Sequence, residues 1–224
     1  MNEGLLNILV ITGTLIIIGA IFFVTNRRKK ADEQALQKLS SENDWQVFFI
    51  RESLRSGLVI TGENWRFEST ATSSGRESGP GSSDIALRTT WSANLPGSPV
   101  YISSKPANAS LSGASVRAAQ ALLQFMSDST MQNLRESQAG SSRLHQRYRV
   151  WAQDDGAVAQ LLTPEVETGL LEWAGAPLLI RQDTDGLVVE INGFQIKKPG
   201  EILSVIQLGQ ALSAGRLPEN AIIE

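Results

Sequence analysis

The stretch PLLIRQDTDGLVVEI, residues 177–191, contains the clearest structural signal in the chain. Two runs rich in leucine, isoleucine and valine flank Asp183–Gly186, and an Asp-Gly turn between two such runs is typical of a β-hairpin. The turn resembles a calcium-binding loop only faintly, because it lacks the third ligand position and the distal glutamate. The stretch therefore predicts two antiparallel strands and no metal site.

Several other stretches have the same strand-like composition. Strands are predicted in WQVFFIRESLRSGLVITG from Trp45, in WRFES after a turn at 62–64, in IALRTTWSA from Ile85, in VYIS from Val100 and in RLHQRYRVWA from Arg143. Residues 69–83 are nearly all serine, threonine and glycine. Because such a segment cannot bury enough apolar surface to offset its ordering entropy, it is predicted to be a flexible loop.

Three helices are predicted between and after these strands. VRAAQALLQFM, residues 116–126, places its apolar residues on one side of a helix. Thr163-Pro164-Glu165 is a favourable helix start, and that helix should end near Trp173. The last helix should run from Glu201 to about Ser213. Interleaved helices and hairpins predict an α+β domain with a mainly antiparallel sheet covered by helices on one face.

The N-terminal part of the chain predicts a membrane helix. Residues 5–24 contain no charge, and 20 helical residues span about 30 Å, the thickness of a bilayer core. The segment does not fit a cleaved signal, because only Glu3 precedes it as a charge and bulky residues end it. The four cations that follow should remain in the cytoplasm; they are Arg27, Arg28, Lys29 and Lys30.

This pattern predicts the order of segments along the chain. Residues 1–4 form a short extracytoplasmic tail, 5–25 a single transmembrane helix and 26–44 a basic and polar stalk. Residues 45–215 form a cytoplasmic domain, and 216–224 form a tail. The predicted location is the cell membrane, with the N-terminus outside.

Composition excludes several classes of function. Four of the 20 basic and one of the 23 acidic residues lie within residues 1–30, so the rest of the chain carries 16 basic and 22 acidic residues and a net charge of −6. Such an acidic domain is a poor candidate for nucleic-acid binding. The chain has no cysteine, which excludes disulfides, thiol catalysis and thiolate metal sites.

Few residues suggest catalytic chemistry. His145 is the only histidine, and no Gly-x-Ser-x-Gly elbow occurs. Asp154-Asp155-Gly156 fits a turn in which one aspartate caps the next helix better than it fits a catalytic carboxylate pair. Five tryptophans are scattered along the chain and fit positions in the core or at its edge; they are Trp45, Trp65, Trp91, Trp151 and Trp173. No catalytic, cofactor-binding or metal-ligating residues are predicted.

The sharpest surface pattern lies in RLHQRYRVWA. If this segment is a strand, every second side chain lies on the same face of the sheet. One face then carries four basic residues, Arg143, His145, Arg147 and Arg149. The simpler interpretation is that these cations pair with acidic residues on neighbouring strands. The alternative is an anion-binding stripe for a phosphate, a lipid headgroup or an acidic segment, since arginine binds such groups bidentately.

One region resembles a known family. The segment YRVWAQDDGAVAQLLTPEV, followed by an apolar helix and an Asp-Gly hairpin, is similar to a family of uncharacterised bacterial membrane-anchored proteins. The resemblance covers about residues 143–192. The residues of this chain that match the sequence pattern of the family are Tyr148, Val150, Ala152, Asp154, Ala159 and Leu161–Pro164. It implies membrane anchoring and a bacterial origin, and it implies no catalytic residues.

These patterns favour a membrane-anchored, non-catalytic protein that binds, scaffolds or regulates another protein at the inner membrane face. Two alternatives remain open: a membrane-tethered hydrolase with an unfamiliar site, and a domain that recognises an anionic lipid or a phosphorylated ligand. The expected partners are the bilayer and another protein, without nucleic acid or cofactor. The oligomeric state is left open, because the apolar segment lacks a Gly-x-x-x-Gly pair.

Overall fold

A computed structural model describes residues 3–73, 85–105 and 134–214, without the side chains of residues 3–11, 13, 15 and 16. The chain divides into two compact units, residues 1–44 and residues 45–224. The predicted helix at 116–126, most of the predicted flexible loop and the predicted tail at 216–224 lie outside the described residues.

The first unit consists of a single helix, α1, which runs without a break from Glu3 to Glu42. It includes both the predicted membrane segment and most of the predicted stalk. Large apolar side chains from Ile17 to Val24 are exposed along it. Within the described residues, no helix contains a stretch with the length and apolarity needed to cross a membrane. The transmembrane helix at 5–25 stays a prediction.

In the part of the chain that the structure describes, the second unit is built on one nine-stranded sheet. Its strands are β1 Gln46–Arg51, β2 Arg55–Thr61, β3 Trp65–Ser73, β4 Ile85–Ala93, β5 Val100–Ser104, β6 Arg135–Glu136, β7 Tyr148–Ala152, β8 Leu179–Asp183 and β9 Gly186–Asn192. Their order across the sheet is β1-β2-β3-β4-β9-β8-β5-β7-β6. Every neighbouring pair is antiparallel. The predicted hairpin at 177–191 forms β8 and β9, with Asp183 paired to Gly186 across the turn.

Four described helices accompany the sheet: α2 Ser142–Arg147, α3 Asp155–Leu161, α4 Pro164–Glu172 and α5 Pro199–Ala214. The predicted α+β class with a large antiparallel sheet is confirmed. Two predicted helix starts are also confirmed, because the side chain of Thr163 accepts a hydrogen bond from the Val166 N–H and that of Asp154 accepts one from the Gly156 N–H.

A continuous apolar row forms the core on the sheet face that α4 and α5 cover. The register aligns one residue from each of six adjacent strands; they are Phe67, Trp91, Val189, Ile180, Ile102 and Val150. None of these side chains is more than 1% exposed. α5 reaches this face at Gly209, which lies against Trp91, and α4 reaches it where the Tyr148 hydroxyl meets the Leu170 carbonyl.

Two buried hydroxyl groups attach the loop before α5 to the sheet. Ser69 and Thr89 are cross-strand partners with no exposed surface. The Ser69 hydroxyl donates to the Ile196 carbonyl at 2.8 Å, and Thr89 Oγ1 accepts from the Ile196 N–H at 3.1 Å. Because each of these polar groups has a partner, the loop can be buried without leaving an unsatisfied hydrogen bond. These bonds hold the chain where α5 begins.

Two predictions from local patterns are wrong in part. Residues 143–147 belong to α2 and not to a strand, because the Ser141 side chain caps a helix through the Leu144 N–H at 3.2 Å and Leu144 is buried. The strand begins only at Tyr148. The flexible loop predicted over 69–83 is also wrong for residues 69–73, which form the end of β3 and pair with β4; residues 69–72 pair with β2 as well.

Candidate functional site

The predicted anion-binding stripe is divided between two elements. Arg143, His145 and Arg147 lie on α2, and Arg149 lies on β7. Residues two apart on a helix point in nearly opposite directions, whereas residues two apart on a strand share a face. The arrangement of these four cations on one strand face is therefore wrong, and their binding of an anion stays a prediction.

Arg147 contacts the end of α4. Its guanidinium group donates hydrogen bonds to the carbonyls of Leu171 and Trp173. Carbonyls at a helix C-terminus lack partners within the helix and carry partial negative charge, so a cation there is stabilising. Burial raises the pKa of the neighbouring Tyr148 and outweighs the lowering by Arg147 and Ser104. The phenol therefore stays protonated at neutral pH and donates to Leu170.

The remaining predicted cations have separate surroundings. His145 Nε2 is 3.0 Å from the Ala139 carbonyl, and Lys105 donates to the carbonyl of His145. Arg143 and Arg149 are exposed on α2 and β7. The four cations predicted to flank the membrane are exposed on α1: Arg27, Arg28, Lys29 and Lys30.

One aspartate of each predicted turn accepts a hydrogen bond from the local backbone. Asp154 caps α3 at 3.1 Å from the Gly156 N–H, and Asp183 Oδ1 accepts from the Asp185 N–H at 2.8 Å in the hairpin turn. Among the described residues, no group of three or more histidines and carboxylates is arranged to hold a metal ion.

Three of the five tryptophans come together at one corner of the sheet. The Trp45 ring meets that of Trp65 edge to face at 5.2 Å, and Trp65 stacks on Trp91 at 6.4 Å. Periodicity within each strand could not reveal this cluster, because it depends on the register between strands. A cleft of about 730 Å³ beside it is lined by Trp65 together with polar residues, among them Asn64, Arg66 and Gln210.

A second cleft, of about 620 Å³, lies between α4 and α5. Its lining includes three carboxylates and one aromatic ring: Glu165, Glu172, Glu201 and Trp173. The Trp173 indole N–H already donates to the Ala176 carbonyl at 2.8 Å. His145 lines neither of these two clefts.

Among the described residues, a distinctive surface is the outer edge of β1. This strand is at one end of the sheet and pairs only with β2 among the described strands. It reads QVFFIR, with no charge from Gln46 to Ile50. Exposed edges in natural sheets usually carry charges, prolines or bulges that prevent further pairing. β1 carries none of these along its apolar part.

The backbone of β1 is oriented for addition of another strand. The Glu52 N–H donates to the Arg55 carbonyl at 2.9 Å, which closes the β1–β2 hairpin. Because hydrogen-bonded pairs alternate in antiparallel strands, residues 46, 48 and 50 direct their backbone groups toward β2. Val47 and Phe49 direct theirs outward. The outer edge therefore presents donors and acceptors at alternating positions.

The side chains of β1 are apolar on both faces of the sheet. Phe48 is 54% exposed and pairs with Val59, which is buried. Phe49, on the other face, is half-buried, and the guanidinium carbon of Arg51 lies 5.8 Å from the centre of its ring. A strand added to β1 would therefore meet apolar side chains above and below the backbone.

Further from the edge, the face opposite the helices becomes polar. Glu68, beyond Val59, accepts hydrogen bonds from both Arg55 and Arg66. Burial raises the pKa of Glu68, but the hydrogen bonds from Arg66 and Arg55 outweigh this and lower it below its ordinary value. Arg88 and Glu190 form another ion pair on this face at 2.6 Å. Among the described residues of the second unit, the exposed large apolar side chains are Phe48 on β1, Leu54 between β1 and β2, and Ile85 at the start of β4.

No protein-family model matches the chain, and no match is found among the curated proteins or the solved structures. The resemblance of residues 143–192 to a membrane-anchored family stays a prediction.

Proposed function

We propose that the protein is a single-pass, membrane-anchored binding or scaffold protein without catalytic activity, whose α+β domain binds in the cytoplasm by adding a strand to β1. The observation that carries this proposal is the free edge of β1, which combines outward backbone groups at Val47 and Phe49 with apolar side chains on both faces. Main-chain hydrogen bonds supply affinity in this mode of recognition, and the alternating side chains supply specificity.

The anchor is supported by the sequence and by exposure along α1. Residues 5–24 are uncharged, and Ile21, Phe22 and Phe23 are 60–71% exposed. Large apolar side chains exposed in succession are unusual for a helix in water and are expected for one in lipid. The four cations from Arg27 to Lys30 support a cytoplasmic position for the domain.

The contacts of Arg147 favour protein binding over recognition of an anionic ligand. Its guanidinium group already donates to two backbone carbonyls at the end of α4. An anion would have to compete with these bonds, whereas the outward backbone groups of Val47 and Phe49 pair with no other described strand.

Site-specific photocrosslinking in native membranes tests the binding surface. A benzophenone amino acid replaces Phe48, and in a matched control it replaces Ser204, which is exposed on α5. We expect a discrete covalent protein adduct from position 48 and none from position 204. Equal labelling at the two positions, or none at position 48, would contradict the proposal.

A reporter fusion tests the location of the domain. An enzyme fused after Glu224 should be active only in the cytoplasm, and protease added to intact cells should leave the domain whole. Extracytoplasmic activity of the reporter would reverse the proposed orientation.

A further inference from the structure

We infer that the strand added to β1 is β1 of a second copy, paired antiparallel about a two-fold axis at Phe49. This inference rests on the proposed function of β1 as a binding edge. The two nine-stranded sheets would join into one continuous sheet. A symmetric contact of this kind uses the same surface on both copies, so that surface must be complementary to itself.

The backbone restricts the possible registers. Val47 and Phe49 direct their N–H and C=O groups outward, so these residues must face outward-directed residues of the second copy. Two-fold pairings that satisfy this condition can be centred on Phe48, Phe49 or Ile50. The side chains then distinguish among the three.

Only the pairing centred on Phe49 matches the side chains along the whole strand. It places Phe49 opposite its own equivalent, Phe48 opposite Ile50, and Val47 opposite the aliphatic part of Arg51. Gln46 then faces Glu52. Like charges directly opposite each other are avoided, and apolar cross-strand pairs are stabilising.

The two neighbouring registers fit less well. Centring on Phe48 places the amide of Gln46 opposite Ile50 and carries Arg51 beyond the start of the second strand at Gln46. Centring on Ile50 places the Glu52 carboxylate opposite Phe48. Each of these registers sets an amide or a carboxylate directly against an apolar side chain. The pairing centred on Phe49 sets only the aliphatic stem of Arg51 against Val47, and such a stem can pack on apolar surface while its charged end stays in water.

The anchor explains how so small a contact can be stable. Pairing two six-residue strands is a small contact beside the roughly 1,200–2,000 Å² that stable interfaces bury. Copies held in one membrane have a high effective concentration, which makes a weak contact sufficient. We therefore expect dimers of the full chain in a bilayer.

The absence of cysteine allows a direct test by disulfide trapping in the full chain, reconstituted in lipid vesicles. In the inferred pairing, the Cα atoms of the two copies of residue 49 are about 5.5 Å apart, within the range of a disulfide. Phe49→Cys should therefore give a covalent dimer on mild oxidation. Val47→Cys alone should not, because its two copies lie about 13 Å apart at ~3.3 Å per residue. A mixture of Val47→Cys and Arg51→Cys copies should cross-link.

A charge exchange at the same position tests the pairing without a disulfide. Phe49→Lys and Phe49→Glu copies should each fail to associate with themselves, because like charges would meet at the axis. Mixing the two variants should restore association, measured by energy transfer between labelled copies in the same vesicles. Loss of folding could explain the failure of either variant alone but not the recovery in the mixture.

The outcomes separate this inference from the proposed function. Cross-linking of Phe49→Cys no greater than that of an exposed Ser204→Cys control, or no recovery in the charge-exchanged mixture, would overturn the inference. If position 48 still labelled a different protein in native membranes, β1 would remain the binding edge with another occupant. If position 48 labelled nothing and the full chain stayed monomeric, both proposals would fail.

Discussion

Gly209 and Trp91 are in such close contact that a methyl group on Gly209 would lie 2.2 Å from the indole ring. Trp91 has no exposed surface and also stacks with Trp65. The ring has little room to move away. The absence of a side chain at Gly209 therefore sets how closely α5 approaches the sheet.

Gly209→Ala should destabilise the domain although alanine favours helices. Alanine gains about 1 kcal/mol over glycine within a helix, but overpacking a core costs about 1–3 kcal/mol. We expect a net loss of up to about 2 kcal/mol, measured by urea unfolding of the full chain in detergent and followed by tryptophan fluorescence. Gly200→Ala is the control, because nothing lies within 4 Å of a methyl group there. A stability equal to that of the control would show that α5 can shift freely.

Thr89→Val should lower the free energy of unfolding by about 1–3 kcal/mol. The substitution keeps the shape of the side chain but removes the acceptor for the buried Ile196 N–H and the donor to the Phe194 carbonyl at 3.0 Å. Buried polar groups without partners cost about that much. Thr90→Val, on the opposite face of the same strand, should have a smaller effect. Equal effects would mean that the buried hydroxyl does not hold the loop in place.

Arg147→Gln and Arg149→Gln should differ in their effect on stability. Arg147 donates to two carbonyls at the end of α4, so its loss should cost about 1 kcal/mol. Arg149 is exposed on β7, and its loss should change stability by less than about 0.5 kcal/mol. Thermal unfolding of the two variants measures the difference. Unchanged stability in both, with weakened binding of phosphate or anionic vesicles, would favour the anion site instead.

Glu68→Gln should destabilise the domain at neutral pH and lose this effect in acid. The pKa of Glu68 is lowered in the folded state from its ordinary value of 4.5. Its ionised form thus stabilises the fold fully above pH 4.5, and this contribution disappears as the pH falls through the lower folded value. Urea unfolding from pH 7 to pH 3 should show the two stabilities converging. A constant difference across that range would mean that the charge of Glu68 is not the cause.

Local signals in the sequence predicted local structure well. The Asp-Gly turn of the β8–β9 hairpin and the cap at Thr163 each depend on a few adjacent residues, and both are confirmed. The segment 142–152 contains both the short helix α2 and the strand β7. The six residues of α2 are too few to distinguish the two-residue alternation of a strand from the 3.6-residue period of a helix. There the cap at Ser141 outweighed the alternating cations.

The candidate site could not be predicted because it depends on strand order. The pattern of β1 predicts a strand, but nothing within QVFFIR indicates that it lies at an edge of the sheet. That position follows from the pairing of β4 with β9 and of β5 with β8. The contact between Trp65 and Trp91 has the same origin, since it requires the register between β3 and β4.

The position of β9 in the middle of the sheet has a consequence for biosynthesis. β4 ends at Ala93, but its neighbour β9 is complete only at Asn192. At about 5–20 residues per second, the ribosome needs roughly 5–20 s to make the intervening chain. During this time the emerging four-stranded meander has two open edges, one at β1 and one at β4. Nascent chains should therefore depend on chaperones most strongly in this interval, and messages truncated before codon 192 should yield products that aggregate or are degraded.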